Sequence, residues 1–371
     1  MKILEIIPSL SSGGGERFVV DLCNEISNYK EHEIILFTVK DSFLPEYSFY
    51  KNEINQNVRF ITLNEAKFTW KTLYKVYCVI KKINPDIVHI HLSSGLNICI
   101  PSIILNRKPM YVQTLHGRAD KQFTNKLVFY LKKWIYKFHL VKLITISGDN
   151  DKSFTEVFNT KSDGIIYNGR GKMLSIDINA VQKEIEEYKI NNNTIVVTHV
   201  ARFHHEKNQN LLINSFNNII KNGANVILLV IGNGYDSEEG KLLQSKANKH
   251  IHFLGQKRNV GDYLKCSDAF VLSSLNEAMP ISLIEALACK CIPLSTPVSG
   301  SIDIIKNGIN GFISSDFSEG SFEKMLSDFI MNYKNINREE LKYYFDNNFS
   351  MKSCAKRYLD FFITSKLMII K

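Results

Sequence analysis

No two cysteines stand in C-x-x-C spacing. The seven that occur, at positions 23, 78, 99, 266, 289, 291 and 354, are odd in number. Such usage argues against a zinc ribbon or a disulfide framework and for buried thiols in a reducing cytosol. Long hydrophobic runs are also missing, and no stretch offers the ~18 uninterrupted apolar residues of a membrane span. The opening MKILEIIPSL is apolar, but Glu5 interrupts it and no small-residue cleavage site follows, so it reads as a buried strand rather than a signal peptide. Neither glycine-rich loop completes the dinucleotide fingerprint G-x-G-x-x-G. Phe18 occupies the third glycine position after SSGGGER, and Ser237 does so in IGNGYDS. Short internal repeats and long low-complexity tracts are absent as well.

What is present is a globular composition, with 44% hydrophobic and 22% charged residues. At 371 residues the chain exceeds one ordinary core and suits two domains. The net charge of +9 is uneven: residues 1–165 hold 22 Lys/Arg against 16 Asp/Glu, the remainder 24 against 21. A positive surplus favours an anionic partner such as phosphate, nucleic acid or an acidic lipid surface.

Along the chain, strand-like and helix-like stretches alternate. MKILEIIP, HEIILFTVK, VRFITL, DIVHIHL, MYVQTLHG and LVKLITIS are apolar on successive residues, as parallel strands covered on both faces must be. ERFVVDLCNEIS and TWKTLYKVYCVIKKI have helical spacing between them. After DGIIYNGR the pattern restarts with TIVVTHVARF, NVILLVIGNG, IHFLG, DAFVLSS and IPLSTPV. The expectation is an α/β protein with an N-terminal domain over residues 1–168 and a C-terminal domain over 169–349. A C-terminal helix, 350–371, then packs back on the first domain. Ligands of open α/β sheets bind beyond the carboxyl ends of the strands, so function belongs in the loops there.

Four loops carry candidate chemistry. The glycines of SSGGGER allow close approach of an anion to a helix N-terminus, or simply make a tight turn. In HVARFHHEKN, Arg202 and Lys207 flank a bend, where a guanidinium fork and an ammonium suit a diphosphate; two solvated cations are the bland alternative. In TLHG, His116 ends a strand and could donate to a sugar hydroxyl or a phosphate oxygen. His89 and His91 alternate on one strand face and read as packed or hydrogen-bonded rather than metal-bound. The segment SSLNEAMPISLIEALA places Glu277 in a loop and Glu285 inside the following helix, with Pro280 in the first helical turn. A carboxylate accepts two donors at once and suits vicinal diols. A ligand with a diol, a diphosphate and a second diol is a nucleotide sugar.

The ordered set GGGER, PDIVHIHL, TLHG, ITIS, IYNG, VARFHHEKNQNLLINSF, LLVIGNG, IHFLG, EAMPISLIE and NGINGF resembles the retaining glycosyltransferases of family 4 over nearly the whole chain. That resemblance implies the GT-B fold, two Rossmann-like parallel-sheet domains facing a central cleft. By the same resemblance Gly13 and Gly14 match the glycine pair beside the donor phosphate and acceptor, and Arg202 and Lys207 match the basic pair on the diphosphate. Glu285 matches the glutamate on the ribose, Glu277 the one facing the transferred sugar, and His116 the histidine that contacts that sugar. Ile281 and Ser282 would offer backbone N–H groups to the phosphates. Ala278-Met279-Pro280 stands where many members have a Phe-Gly pair, which costs one backbone donor and obscures the donor sugar. Gly15 replaces a more common small residue.

The implied reaction moves a hexose or N-acetylhexosamine, with a UDP-sugar the favoured donor, to a glycan or prenyl-diphosphate-linked precursor in cell-surface polysaccharide synthesis. Anomeric configuration is retained by front-face attack. No cofactor or metal is expected, and the one D-x-D, Asp149 to Asp151, reads as helix capping. Between Lys121 and Lys142, six lysines, aromatic residues and no acid describe either a basic helix on an anionic membrane or a core helix with a solvated lysine face. The protein is expected in the cytoplasm, peripheral on the inner face of the plasma membrane, without nucleic acid because no recognition module is visible. A sugar-nucleotide 2-epimerase of the same fold and a non-catalytic partner subunit are the rival readings.

Overall fold

The strand sequences are apolar on both sides and therefore need cover on both faces. In the computed structural model, which describes residues 1–40, 43–121, 125–173 and 175–370, they receive it in two separate compact units. One unit comprises Met1–Gly171 with Met351–Lys371, the other Lys172–Ser350.

The first unit runs β1 (Lys2–Ile7), α1 (Gly14–Ile26), β2 (Glu33–Lys40), β3 (Arg59–Glu65), α2 (Trp70–Ile83), β4 (Ile87–His91) and α3 (Leu92–Leu105). It continues with β5 (Met110–Leu115), α4 (Lys126–Lys137), β6 (Lys142–Thr145), α5 (Gly148–Phe158) and β7 (Gly164–Ile165). The second unit runs α6 (Ile178–Tyr188), β8 (Ile195–Val200), α7 (Gln209–Lys221), β9 (Val226–Ile231), α8 (Glu238–Ser245), β10 (Ile251–Gly255) and α9 (Val260–Lys265). Then come β11 (Ala269–Leu272), α10 (Ile281–Ala288), β12 (Ile292–Ser295), α11 (Ser299–Ile304), β13 (Phe312–Ile313), α12 (Glu319–Asn332) and α13 (Arg338–Asn348), and α14 (Met351–Ile370) returns to the first unit.

Both sheets are wholly parallel, with orders β3-β2-β1-β4-β5-β6-β7 and β10-β9-β8-β11-β12-β13. In each, the order reverses once, between β1 and β4 and between β8 and β11. Loops leaving the carboxyl ends on either side of such a reversal diverge and open a crevice, the usual ligand position in this architecture. On one face of the first sheet, Phe18, Leu22 and Ile26 of α1 join Tyr358 and Phe362 of α14 in a core layer. The other face is covered by Val76 and Ile80 of α2, Ile98 and Ile103 of α3 and Phe154 and Phe158 of α5.

Two local expectations change. Asp149 and Asp151 are not the cap of α5; the Ser147 hydroxyl accepts from Asn150 N–H, while Asp149 pairs with Arg118 at 2.6 Å. On α4, Lys132 is not a surface lysine. It is buried, donates to the Ser93 carbonyl at 3.1 Å, and burial pulls its ammonium down to about 8. The exposed side of α4 carries Leu127, Tyr130 and Trp134 beside Lys126 and Lys137, with exposed Phe138 at its C-cap. Gln122, Phe123 and Thr124 of the basic stretch, and Lys371 of the C-terminal helix, lie outside the described residues.

Candidate functional site

In the second unit, the loop after β8 and the loop after β11 leave adjacent strands at the reversal of strand order. They are stapled together by Leu275 N–H to the Glu206 carbonyl at 2.8 Å and by the Ser273 hydroxyl to the Lys207 carbonyl, also 2.8 Å. The Thr296 hydroxyl holds the Ser274 carbonyl from the neighbouring strand at 2.6 Å. These bonds fix where the charged side chains start. Lys207 then pairs directly with Glu277, whose same oxygen accepts from the Ser274 hydroxyl at 3.0 Å. Arg202, two residues past β8, is exposed, and its backbone carbonyl is held by the Gln209 amide at 2.9 Å.

The glycines of IGNG pack against this loop. At Gly232, φ is +155°, and a β-carbon would lie 1.9 Å from the Ala201 carbonyl oxygen. Only glycine lets the two loops touch so closely. That contact lets Ala201 N–H reach the Ile231 carbonyl at 3.0 Å and Phe203 N–H reach the Asn233 carbonyl at 2.8 Å, either side of Arg202.

Ile281 and Ser282 are the first two residues of α10, and no side chain caps that end. Their N–H groups belong to the first turn, which an anion satisfies well. Pro280 is the cap position rather than part of the first turn, and its carbonyl accepts Leu283 N–H at 3.1 Å. Glu285 sits one turn further in and is half-buried. His199 of β8 was not singled out from sequence. It is buried, its Nδ1 bonds the Val271 carbonyl at 2.9 Å, and burial lowers its pKa to about 4.

In the first unit, Gly13 caps α1 with extended backbone, and a β-carbon at Gly14 would meet nothing within 4 Å. One at Gly15 would come within 3.1 Å of Leu92 and 3.8 Å of the His116 ring, so the bare backbone there lets that ring approach the loop. Leu92 itself has φ of +65°, a strained conformation for a branched residue, at the junction of β4 and α3. His116 follows β5 directly. Its ring meets Phe18 edge-on at 5.2 Å, and its Nε2 lies 3.0 Å from His91 Nδ1.

Behind His116 lies a buried polar chain; His89 and His91 are hydrogen-bonded in it as their sequence suggested, but their link to Glu5 was not foreseen. Glu5 and His89 are register partners across β1 and β4, and strand alternation puts His91, Thr114 and His116 on the same face. His91 Nε2 is 2.6 Å from Glu5 Oε2, and His89 Nδ1 stands 2.8 Å from the same oxygen. His89 Nε2 contacts the Thr114 hydroxyl at 2.8 Å, and that hydroxyl meets Tyr358 Oη at 3.0 Å. Burial alone would raise the Glu5 pKa, but His89 and His91 outweigh it and hold the carboxyl at about 2. Burial lowers His91 to about 4 and drives His116 well below the ordinary imidazole value. A signal existed: Glu5 was the one charge in the apolar run Ile3–Ile7, and a buried carboxylate demands partners. Glu5, His89 and His91 also bring three ligand-type atoms within 4.8 Å of one another, although His91 Nε2 is already engaged by Glu5 and His89 Nε2 by Thr114.

The chain is similar to known proteins in sequence and in fold. Residues 12–169 match the model of Glycosyltransferase Family 4, and residues 180–347 match that of Glycosyl transferases group 1. An uncharacterized glycosyltransferase of Methanocaldococcus jannaschii is 27% identical, over 91% of this chain and 87% of its own. An N-acetyl-D-galactosaminyltransferase of Campylobacter jejuni, named for a diNAcBac-PP-undecaprenol-linked acceptor, is 25% identical over 91% of each chain. Among solved structures, HepE of Anabaena in complex with UDP-glucose superposes with a TM-score of 0.73 at 16% identity, covering 98% of this chain and 100% of that one.

The protein belongs to the family 4 glycosyltransferases of GT-B fold. It is accordingly an enzyme, a hexosyltransferase.

Proposed function

We propose that the protein transfers a hexose or N-acetylhexosamine from a nucleoside-diphosphate sugar, with UDP the favoured nucleotide, to a glycan or lipid-linked glycan precursor, with retention at the anomeric carbon. The observation that carries this reading is the stapled pair of loops after β8 and β11, which sets Arg202, Lys207 and Glu277 at a reversal of strand order beside the uncapped end of α10.

In this reading Arg202 and Lys207 meet the charge that grows on the departing diphosphate, the kind of stabilisation that contributes most to such reactions. The N–H groups of Ile281 and Ser282 take phosphate oxygens, and Glu285 takes the ribose diol. Glu277 orients the transferred sugar, already aligned by Ser274. Gly13 and Gly14 keep backbone bare for phosphate or acceptor, and His116 holds a hydroxyl. The attacking hydroxyl of the acceptor approaches on the face the diphosphate leaves, and the leaving oxygen takes its proton. No resident metal or cofactor enters this scheme, because the leaving-group charge is met by side chains.

The Campylobacter relative acts on an undecaprenol-linked glycan by its name, which favours a lipid-linked acceptor here. Among the described residues no helix is long and apolar enough to cross a membrane. An anionic surface on the cytoplasmic side would instead be met by α4, whose exposed Leu127, Tyr130 and Trp134, with Phe138 at the C-cap, stand beside Lys126, Lys133 and Lys137.

The test is a panel of nucleotide sugars with and without lipid-linked glycan acceptors, read as nucleoside diphosphate released. Release that needs an acceptor, with product of the donor's anomeric configuration by NMR, is the expected result. Conversion of the nucleotide sugar without acceptor would instead mark an epimerase.

A further inference from the structure

We propose that Glu5 and His91 are positioning residues that fix His116 in one tautomer, proton on Nε2 and lone pair on Nδ1, so that His116 accepts a hydrogen bond from a substrate hydroxyl and rejects phosphate oxygens. The tautomer follows from the hydrogen-bond geometry together with burial of the two rings; the identity of the hydroxyl rests on the glycosyl transfer proposed above.

An ionised carboxylate can only accept. Glu5 Oε2 lies 2.6 Å from His91 Nε2, so that nitrogen carries the proton. Burial keeps His91 neutral, which leaves its Nδ1 with a lone pair. That lone pair faces His116 Nε2 at 3.0 Å, and the contact is attractive only if His116 carries its proton there. The opposite polarity would set the His91 Nε2 lone pair against a carboxylate at 2.6 Å, which is repulsive. A neutral His116 protonated on Nε2 has its remaining lone pair on Nδ1, and this atom is buried with no hydrogen-bond partner among the described residues.

A buried acceptor without a donor is rare and costly, and commonly marks a functional group. The setting leaves the ring little freedom to repair it. Phe18 lies edge-on against it, and Gly15 allows the loop to close over it. A lone pair in that position discriminates by chemistry: a hydroxyl can donate to it, whereas a phosphate oxygen, carbonyl or fluorine cannot. This reverses the donor role assigned to His116 from sequence. His116 reports the charge state of Glu5 through one imidazole, without touching the carboxylate itself.

The experiment uses full-length protein labelled with 15N-histidine, near neutral pH and without substrate. Two-bond 1H–15N correlation separates protonated from lone-pair ring nitrogens, and His116→Gln identifies the resonance. The expected wild-type pattern is lone-pair Nδ1 and protonated Nε2. His91→Asn, whose amide oxygen can stand in for Nδ1, keeps the pattern, and His91→Leu converts it to a mixture of tautomers.

A protonated Nδ1 in the wild type overturns the proposal, whatever the variants do. An unchanged single tautomer in folded His91→Leu overturns Glu5 and His91 as its cause. With an active donor and acceptor pair, His91→Leu should lower kcat roughly tenfold, the size of one hydrogen bond, and His91→Asn should recover most of it. Replacing the bound hydroxyl by fluorine on the donor should reproduce the loss in the wild type but add nothing in His91→Leu. The spectra need no turnover, so failure of the transfer reading leaves the tautomer result intact.

Discussion

Lys207 and Glu277, on loops from adjacent strands, are each other's ion-pair partner, with Ser274 completing the carboxylate's contacts. Each is the other's counter-ion, so neither single removal is clean. Lys207→Met and Glu277→Gln should each lower turnover by roughly 10²–10³-fold. The double variant should be much less impaired than the product of the two losses, because residues acting as one unit are not additive. Steady-state release of nucleoside diphosphate across the cycle measures this, and full additivity would separate their roles.

Arg202 is exposed and contributes little packing. Arg202→Ala should therefore lower turnover by two or more orders of magnitude, on the scale roughly expected for one charge-stabilising group, while thermal unfolding stays unchanged. Arg202→Lys should recover only part of the rate, since the planar fork is lost. Near-normal turnover in Arg202→Ala would remove it from the site.

Gly232→Ala should be damaging without altering any charged residue. The new β-carbon meets the Ala201 carbonyl and the backbone is held at a φ that side chains rarely adopt. A loss of about 1–3 kcal/mol in chemical denaturation is expected for such strain. Turnover should fall with it, because Ala201 and Phe203 anchor Arg202.

Acid sensitivity should set in well above the carboxylate range. His91, His116 and His199 all have folded pKa values depressed by burial, His91 and His199 to about 4 and His116 well below the ordinary imidazole value. Below about pH 6.5 the unfolded chain binds three protons that these sites refuse, so stability rises with pH through that window and is lost on acidification towards pH 4. Each histidine contributes roughly 1.4 kcal/mol per pH unit there. Glu5, held at about 2, adds stability that is complete above the ordinary carboxylate value and lost as pH falls through 2. Urea midpoints between pH 4 and 7 measure the slope; a flat profile above pH 5 would contradict it.

Trp134 of α4 and Phe138 at its C-cap are exposed. Changing both to serine should weaken co-sedimentation with anionic vesicles and leave solution turnover on a short soluble acceptor unchanged. Equal binding to neutral and anionic vesicles would remove the electrostatic part of the reading.

The two parallel sheets were legible because strands buried on both faces are written as uninterrupted apolar runs, as in VILLVI of β9. The two-residue strands β7 and β13 and the short turns over Pro45–Tyr47 and Lys51–Glu53 carry no such pattern, because their geometry is set by what they abut. Candidate residues were legible only where chemistry sits in one short segment, as in the spacing of Glu277 and Glu285. Glu5 read as an interruption because its partners lie 84 and 86 residues away on another strand. Lys132 read as solvated because helical spacing of lysines says nothing about which of them a neighbouring helix covers.

The return of α14 to the first unit has a consequence for synthesis. Tyr358 and Phe362 fill a layer whose other members, Phe18 and Leu22 among them, leave the ribosome more than three hundred residues earlier. That first half must wait, with one apolar face covered only in part by α1, until the last helix emerges. The second unit, contiguous in the chain, can close in the meantime. The order of translation and the order of completion are therefore opposite, and the waiting sheet is the form most in need of a chaperone.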